Sequence, residues 1–242
     1  MKPILIKELN SFFTSPTAYL VIAMYLVING LFLWVFEGDF NILHAGFADL
    51  NSYFFIAPWI FIFLIPAITM RSFSDEINTG TIELLKTKPI TNWQIILAKY
   101  FSSLILVLVT ILPTLIYIYS IYQLGNPIGN IEFGTTFGSF IGLFFLASTY
   151  SAVGVFASTI SKNQIVSFII GVFISFFLFY GFEALASSNI FENLEYTVQT
   201  FGMFSHFESI SKGILDTRDL IYFISTTFFF LILTNYRIQH EK

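Results

Sequence analysis

Charged side chains are concentrated in one segment of the sequence, between two long apolar stretches. The segment runs from Arg71 to Lys99 and contains three acidic and four basic side chains. Carboxylates and ammonium groups at this density can pair with one another on short helices or meet a charged partner surface. They do not form a catalytic constellation, because no clustered His, Asp or Ser recurs at helical spacing in the chain.

The same segment contains signals that end one helix and form a short second one. Gly80 is suited to the left-handed backbone position that ends a helix. Thr81 can cap the next turn, and that turn places Ile82 and Leu85 on one face. Pro89 closes the turn because proline cannot continue a helix. We therefore expect a compact helical element between two apolar helices.

A second helix start follows directly, since Thr91 and Gln94 have the spacing of a capping box. Trp93 beside it is expected at a membrane interface. The plain alternative is an ordinary capped connector. A connector needs only a few residues, however, whereas this one uses about thirty. We therefore favour a contact surface for a partner, against which the face of Ile82 and Leu85 would be buried.

Composition indicates a membrane protein. The chain is 56% hydrophobic, 19% aromatic and 11% charged, whereas a soluble domain is typically about 25% charged. The net charge of −4 gives no reason to expect a nucleic-acid partner. Cysteine is absent, which excludes disulfides and thiol chemistry. The three histidines are too far apart for a metal site; they are His44, His206 and His240.

Six stretches are long and apolar enough to span a bilayer as helices, which predicts an all-α membrane protein. The first is too long for a signal peptide and lacks a small-residue cleavage site, so we expect it to be retained. We expect one transmembrane domain over residues 1–242, with spans at about 18–36, 53–70, 102–121, 136–160, 165–184 and 220–236.

The basic residues predict the orientation. Only Lys212 and Arg218 fall in the loops on one side, and both belong to the loop between spans five and six. The other nine fall on the opposite side: Lys2, Lys7, Arg71, Lys86, Lys88, Lys99, Lys162, Arg237 and Lys242. The positive-inside rule then places both termini in the cytoplasm.

Two segments outside the spans are expected to lie at the membrane surface. In residues 2–13 the apolar side chains share one face, which predicts an amphipathic helix ending at Ser15–Pro16; they are Leu5, Leu9, Phe12 and Phe13. The loop of residues 187–219 is too apolar for a solvated linker, and we expect one or two helices at the outer interface. Its apolar members include Phe191, Leu194, Tyr196, Phe201, Met203, Phe204, Phe207 and Ile210.

Small residues recur in span four at a spacing of four, at Gly134, Gly138 and Gly142. Such residues let helices approach closely in lipid. Packing inside the bundle is the favoured interpretation, and a homodimer seam is the alternative. Pro66 and Pro113 lie within spans two and three, and each is expected to kink its helix.

These residues resemble a known family. The order Arg, Glu, Gly-Thr, Glu, Leu-Leu, Thr, Pro and Lys in the charged segment is similar to the signature of type-two ABC transporter permeases. The matching residues are Arg71, Glu76, Gly80, Thr81, Ile82, Glu83, Leu84, Leu85, Thr87, Pro89, Gln94 and Lys99. The resemblance extends over the whole chain, and within the family the chain most resembles permeases of gliding-motility transporters.

The resemblance implies a six-span permease of a bacterial inner membrane that pairs with a second permease, identical or related. It also implies a separate ABC ATPase subunit, which would carry ATP and Mg²⁺. The segment from Gly80 to Pro89, including Lys86, would be the coupling helix, with Arg71 and Glu76 beside it. A second, smaller contact is implied at Ser161, Lys162, Asn163 and Gln164. Consistent with a non-catalytic subunit, the sequence has no G-x-x-x-x-G-K-[ST] phosphate-binding motif.

Two functions fit this pattern. The first is the membrane subunit of an exporter. The second is a mechanical or assembly factor driven by the ATPase, with nothing transported. Spans two and five are almost purely apolar, which is compatible with a lipid-like or hydrophobic substrate or with no substrate. A secondary transporter is disfavoured, since no span carries a charged residue near its centre.

Overall fold

The computed structural model describes residues 1–87, 89–187, 195–214 and 216–240. Within these residues the chain is entirely helical in its regular structure, and six helices are long and apolar enough to cross a membrane. The predicted fold class is confirmed. Spans 1 to 6 are Pro16–Val35, Asn51–Asn78, Asn92–Leu124, Phe133–Ala157, Gln164–Ala186 and Thr217–His240.

Four of the spans are not uniform α-helices. Span 1 is α-helical over Pro16–Gly30 and π-helical over Leu31–Val35. The remaining segments are Asn51–Thr69 and Arg71–Asn78 in span 2, Asn92–Ile111, Leu112–Leu115 and Ile116–Leu124 in span 3, and Gln164–Phe176, Phe177–Gly181 and Phe182–Ala186 in span 5. Span 4 ends at Ala157, three residues before its predicted end, because Ser158 and Thr159 form a capping turn there.

The two prolines that were expected to kink their helices differ in effect. Pro113 lies in the short 3-10 segment of span 3, where its missing N–H removes one α-helical hydrogen bond. Pro66 is accommodated within the α-helical part of span 2. The break in that span comes later, at Met70, whose N–H donates to the Pro66 carbonyl at 2.8 Å.

Short helices lie outside the spans. They are the N-terminal helix Lys2–Thr14, the turn Ile42–Ala45, the loop helix Thr81–Lys86, and the helices Glu195–Gln199 and Met203–Ser211 between spans 5 and 6. We call Met203–Ser211 the outer helix. The prediction of one or two helices between spans 5 and 6 is confirmed, although Phe191 and Leu194 lie outside the described residues.

Span 4 forms the centre of the bundle. In it, 72% of the most apolar window is buried within the chain, compared with 28% in spans 1, 5 and 6. Its small residues permit this position because neighbouring backbones can approach closely. At Gly154, for example, a Cβ atom would lie 2.0 Å from the Thr69 hydroxyl of span 2.

Buried hydroxyl groups connect the spans. The Tyr25 and Tyr53 hydroxyls lie 2.9 Å apart, and the Tyr53 hydroxyl lies 2.8 Å from that of Thr114, so this chain of hydrogen bonds joins spans 1, 2 and 3. Tyr100 and Ser148 join spans 3 and 4 at 2.6 Å. Side-chain hydrogen bonds of this kind in membrane helices contribute about 0.6 kcal/mol each.

The six spans define two ends of the molecule. The basic end contains the N-terminal helix, residues 71–87 and 89–91, residues 158–163 and the end of span 6. The opposite end contains residues 36–50, 125–132, 195–214 and 216. Contacts support this grouping, since Gly125 approaches Ala48 and Gly213 approaches Thr135 at the opposite end.

The N-terminal helix lies against the bundle as well as at its surface. It begins at Lys2 and ends at Thr14, and Ser15 then caps span 1 at Pro16, as predicted. Ile4 is buried, and Phe12 and Phe13 are partly buried against the core. The apolar face therefore packs partly on protein, because span 3 runs alongside this helix.

The outer helix packs onto span 4. Met203 and Ile210 are fully buried and Phe207 is 5% exposed, so these side chains lie inside the chain rather than at a lipid surface. At Gly138 a Cβ atom would lie 2.7 Å from the Ile210 carbonyl oxygen, and at Gly142 it would meet the Phe207 ring at 3.1 Å. These two glycines therefore form the seat of the outer helix. Gly134 has nothing within 4 Å of its Cβ position.

Candidate functional site at the basic end

A buried lysine organises the basic end. Lys99 is only 2% exposed, yet its ammonium group donates three hydrogen bonds. The acceptors are Glu8 Oε1 at 3.2 Å, Glu76 Oε1 at 2.9 Å and the Ser72 carbonyl at 2.5 Å. A lysine ammonium has three N–H groups, so each is satisfied, and Lys99 joins the N-terminal helix, span 2 and span 3.

The charges in this cluster balance. Lys7, on the N-terminal helix, lies 3.7 Å from both Glu8 and Glu76, so two ammonium groups face two carboxylates. We call Lys7, Glu8, Glu76 and Lys99 the charged cluster. Burying a single charge costs several kcal/mol unless it is paired and hydrogen-bonded. Lys99 meets both conditions, and its ammonium group also lies 5.0 Å from the centre of the Phe73 ring.

A second polar contact connects span 2 to span 5. The Gln164 side chain accepts a hydrogen bond from Arg71 Nε at 3.1 Å and donates one to Asp75. Arg71 and Asp75 are one helical turn apart on span 2, so the side chain of Gln164 can contact both of them. We call Arg71, Asp75 and Gln164 the polar bridge.

The short loop that leads to Gln164 is locally ordered. Asn163 caps span 5, since its side-chain oxygen accepts from the Ile165 N–H at 2.9 Å. The Ser161 hydroxyl accepts from the Asn163 N–H at 3.1 Å, and the Ser167 hydroxyl donates to the Ser161 carbonyl at 3.2 Å. Lys162 is exposed. Only Gln164 of the four residues proposed for a second contact makes a side-chain bond to span 2 in the described hydrogen bonds.

The loop helix follows span 2 through the predicted glycine turn. Gly80 has a φ angle of +70°, a conformation that is costly for other residues. The Thr79 hydroxyl lies 3.0 Å from that of Thr81, which tightens the turn between the two helices. The helix itself runs over Thr81–Lys86, as predicted.

One side chain of the loop helix is buried within the chain where we expected it to be exposed. We expected Ile82 on a face presented to a partner, but its side chain is 6% exposed and belongs to the buried core. Ile82 therefore holds the loop helix to the rest of the chain. Thr81 and Glu83 are exposed, as are Thr87 and Pro89 just beyond the helix. The side chains of Leu84, Leu85 and Lys86, and all of Lys88, lie outside the described residues.

The helix start of span 3 matches the sequence pattern. The Thr91 hydroxyl accepts from the Gln94 N–H at 3.3 Å, and the Gln94 side chain accepts from the Thr91 N–H at 3.4 Å. This reciprocal pair is the predicted capping box. Trp93, which we expected at a membrane interface, packs within the chain. Its ring stacks on the Phe228 ring of span 6, with the ring centroids 6.0 Å apart.

The sequence pattern identified only part of this site. Arg71, Glu76 and Lys99 belong to the residues that resemble the family signature, but the sequence pattern does not predict that Lys7 and Glu8 of the N-terminal helix meet them. A signal was present, since Lys99 is the one charged residue within the apolar span 3. Such a residue requires acidic partners.

Charged and polar side chains connect several helices at the basic end. Among the described residues, no group of three His, Asp or Glu side chains is placed to hold a metal ion. The charged cluster and the polar bridge together connect the N-terminal helix with spans 2, 3 and 5, next to the loop helix. The fold and this site define a multi-pass helical membrane protein with a connected charged end.

Comparison of the sequence with known protein families identifies the family to which this membrane protein belongs. The family described as ABC-2 family transporter protein matches residues 7–238, which is nearly the whole chain. The chain therefore belongs to the ABC-2 transporter family and is the membrane permease subunit of an ABC transporter. No curated protein matches it in a sequence search.

Proposed function

We propose that the basic end faces the cytoplasm and receives a separate ABC ATPase subunit at the loop helix. The distribution of basic residues in the sequence supports this orientation, since nine of the eleven fall on one side of the predicted spans. The exposed Glu83 and Thr81 would set the orientation of the ATPase. ATP and Mg²⁺ would be bound by that subunit.

The single observation that carries the proposal is the linkage of the loop helix to four other elements. Ile82 holds the loop helix in the core, and span 2 continues directly into it through Gly80. Lys99 and Gln164 then connect span 2 to the N-terminal helix, span 3 and span 5. A displacement of the loop helix is therefore transmitted to these elements together, and closure of the ATPase would shift the bundle between two packings.

The proposed process is export, and the proposed system is gliding motility. The proposed role in gliding motility rests on the resemblance of the sequence to GldF, the permease of a gliding-motility ABC transporter. A second permease, identical or related, would complete the membrane unit in the bacterial inner membrane.

One observation favours the alternative of a mechanical or assembly factor with no transported substrate. The outward face of span 5 is apolar along its length, with Ile165, Ile169 and Phe173 each more than half exposed. This surface provides no polar path, so it suits lipid, an apolar substrate, or a protein contact without transport.

Copurification tests the ATPase contact. The tagged chain would be purified in detergent from its native cells, with ATPase activity measured on the eluate, for wild type, Glu83→Lys and Glu37→Lys. Both positions are exposed acids, but Glu37 lies at the opposite end. We expect ATPase activity to be lost with Glu83→Lys and kept with Glu37→Lys. No ATPase with well-folded wild-type protein would overturn the proposal.

Orientation can be measured separately because the chain has no cysteine. We would introduce Lys162→Cys or Lys212→Cys and treat intact cells with a membrane-impermeant maleimide. The proposed orientation predicts labelling at position 212 only, and labelling at position 162 only would reverse it.

The same Glu83→Lys cells distinguish the two functions. If the chain exports a compound, lipids or small molecules that wild-type cells release should accumulate in the variant. If gliding is lost while the released compounds stay unchanged, the mechanical role is supported instead.

A further inference from the structure

A histidine at the opposite end makes hydrogen bonds through both ring nitrogens. His206 lies on the outer helix; its Nδ1 is 2.6 Å from Asp219 Oδ1 of span 6, and its Nε2 is 2.9 Å from the Thr200 carbonyl. A carbonyl oxygen can only accept, so Nε2 carries a proton and donates it. The histidine thus joins the outer helix, the turn that precedes it and the first turn of span 6.

The surroundings of His206 strengthen this contact. Its ring stacks on Tyr222 with centroids 4.0 Å apart, and the Tyr222 hydroxyl donates to the Phe201 carbonyl at 2.6 Å. Asp219 is 6% exposed, so the hydrogen bond to it is shielded from water and electrostatically stronger than an exposed one. We call His206, Asp219 and Tyr222 the outer clasp.

The outer helix also forms one wall of an aromatic groove. Phe204 and Phe207 line this groove, which has a volume of about 300 Å³ and faces Phe55 of span 2 and Phe179 of span 5. The lining also includes polar residues, among them Asn51 at the start of span 2. The Phe204 ring meets the Phe179 ring edge-on at 5.5 Å.

The outer helix is held at two places along its length. Its C-terminal part rests on Gly138 and Gly142, where the backbone of Ile210 approaches span 4. Its N-terminal part is held by the outer clasp and by the Ser205 hydroxyl, which donates to the Gln199 carbonyl at 2.8 Å. Losing the clasp would leave only the Ser205 hydrogen bond and the burial of Met203 to hold the N-terminal part, so Phe204 would move more readily about the glycine seat.

We propose that His206 is a positioning residue that holds the outer helix against the groove, so that the outer clasp controls access to it. The helix is the movable wall, and span 6 carries the other half of the clasp. This inference does not depend on an ATPase partner or on the direction of transport, since it concerns only contacts within the chain.

Cysteine labelling tests the proposal on the full chain in lipid nanodiscs. The reporter is Phe204→Cys, which places the only thiol of the chain on the movable wall, and the probe is a charged maleimide. His206→Phe keeps a ring for stacking on Tyr222 but removes both hydrogen-bonding nitrogens. We expect it to raise the labelling rate of the reporter several-fold.

Matched variants make the result specific. His44→Phe is the same substitution at an exposed position of the same end, and it should leave the rate unchanged. A second reporter, Glu37→Cys, lies outside the groove and should react equally fast with or without His206→Phe. A general loss of structure would be recognised by a lower unfolding midpoint, which a local release of the outer helix should change little.

Asp219→Leu provides a second route if His206→Phe does not fold. It keeps a side chain of similar size and has no atom that can hydrogen-bond His206, so it should also accelerate labelling at position 204. The proposal is overturned if the rate at 204 is unchanged in the folded variants, or if His44→Phe raises it equally.

Discussion

The two ends of this permease are held together in different ways. At the basic end, Lys99 joins segments up to 91 residues apart and Gln164 joins span 5 to span 2 across 93 residues. At the opposite end, the outer clasp joins residues only 13 apart, and the glycine seat and aromatic contacts hold the outer helix by packing. Buried charges therefore fix long-range geometry where the loop helix lies, while close packing and one histidine fix the outer helix.

This difference indicates which end can move without disturbing the bundle. Separating any element from the charged cluster leaves a buried charge without its partner, which is strongly unfavourable. Releasing the outer helix costs hydrogen bonds and packing of one short segment only. The basic end is therefore suited to transmitting displacement, and the opposite end to local rearrangement.

The largest expected effect comes from breaking the charged cluster. Lys99→Met should lower the free energy of unfolding by about 3–5 kcal/mol, because two nearly buried carboxylates lose their shared cation. Denaturant unfolding of the purified chain in detergent measures this. Lys162→Met, an exposed lysine at the same end, should change it by less than about 0.5 kcal/mol.

A double variant sharpens this result. Lys99→Met combined with Glu76→Gln leaves one cation, Lys7, facing one carboxylate, Glu8, so the charges balance again and much of the lost stability should be recovered. If Lys99→Met is as stable as Lys162→Met, ionic pairing does not hold the basic end, and the contrast between the two ends fails.

The glycine seat should produce the next largest effect. Gly138→Ala should cost about 1–3 kcal/mol, because its Cβ would lie 2.7 Å from the Ile210 carbonyl and the backbone must shift. Gly134→Ala, which has open space, should be neutral or stabilising by up to about 1 kcal/mol through helix propensity. Thermal unfolding compares the two.

Gly138→Ala and Gly134→Ala also distinguish packing inside the bundle from a homodimer seam as the reason for the glycine spacing. Internal packing requires that Gly138→Ala be the harmful variant. If instead Gly134→Ala changes the oligomeric state in size-exclusion chromatography while Gly138→Ala has no effect on stability, the homodimer seam is the better interpretation.

A smaller effect is expected at the turn before the loop helix. Gly80→Ala should cost about 1–2 kcal/mol because of the left-handed backbone there. Gly30→Ala, at a right-handed helical position with no atom within 4 Å, should not be destabilising. Equal stability of Gly80→Ala and wild type in chemical unfolding would show that the turn relaxes easily.

The smallest effect is expected at the capping box. Thr91→Ala should cost about 1 kcal/mol and accelerate hydrogen exchange in the first turn of span 3, because the Gln94 N–H loses its acceptor. Thr91→Ser keeps the hydroxyl and should behave as wild type. Identical exchange in the Ala and Ser variants would contradict the role of the cap.

Local signals predicted local structure well. Gly80, Pro89 and the Thr91–Gln94 pair predicted the loop helix and its boundaries, because caps and turns depend on residues a few positions apart. The same is true of the N-terminal helix and its end at Ser15. The exposure of Ile82 was predicted incorrectly, because which face of a one-turn helix is buried depends on elements that a local pattern does not include.

By itself, the sequence determined that the chain is a six-span helical membrane protein, since apolar stretches of about 20 residues have no other stable arrangement in a bilayer. It also determined the unequal distribution of charge between the two ends. Only the tertiary structure decided that Lys99 joins Glu8 to Glu76, that Gly138 seats the outer helix and that His206 reaches Asp219. These contacts depend on how the spans pack, and side chains distant in sequence meet only after that packing is formed.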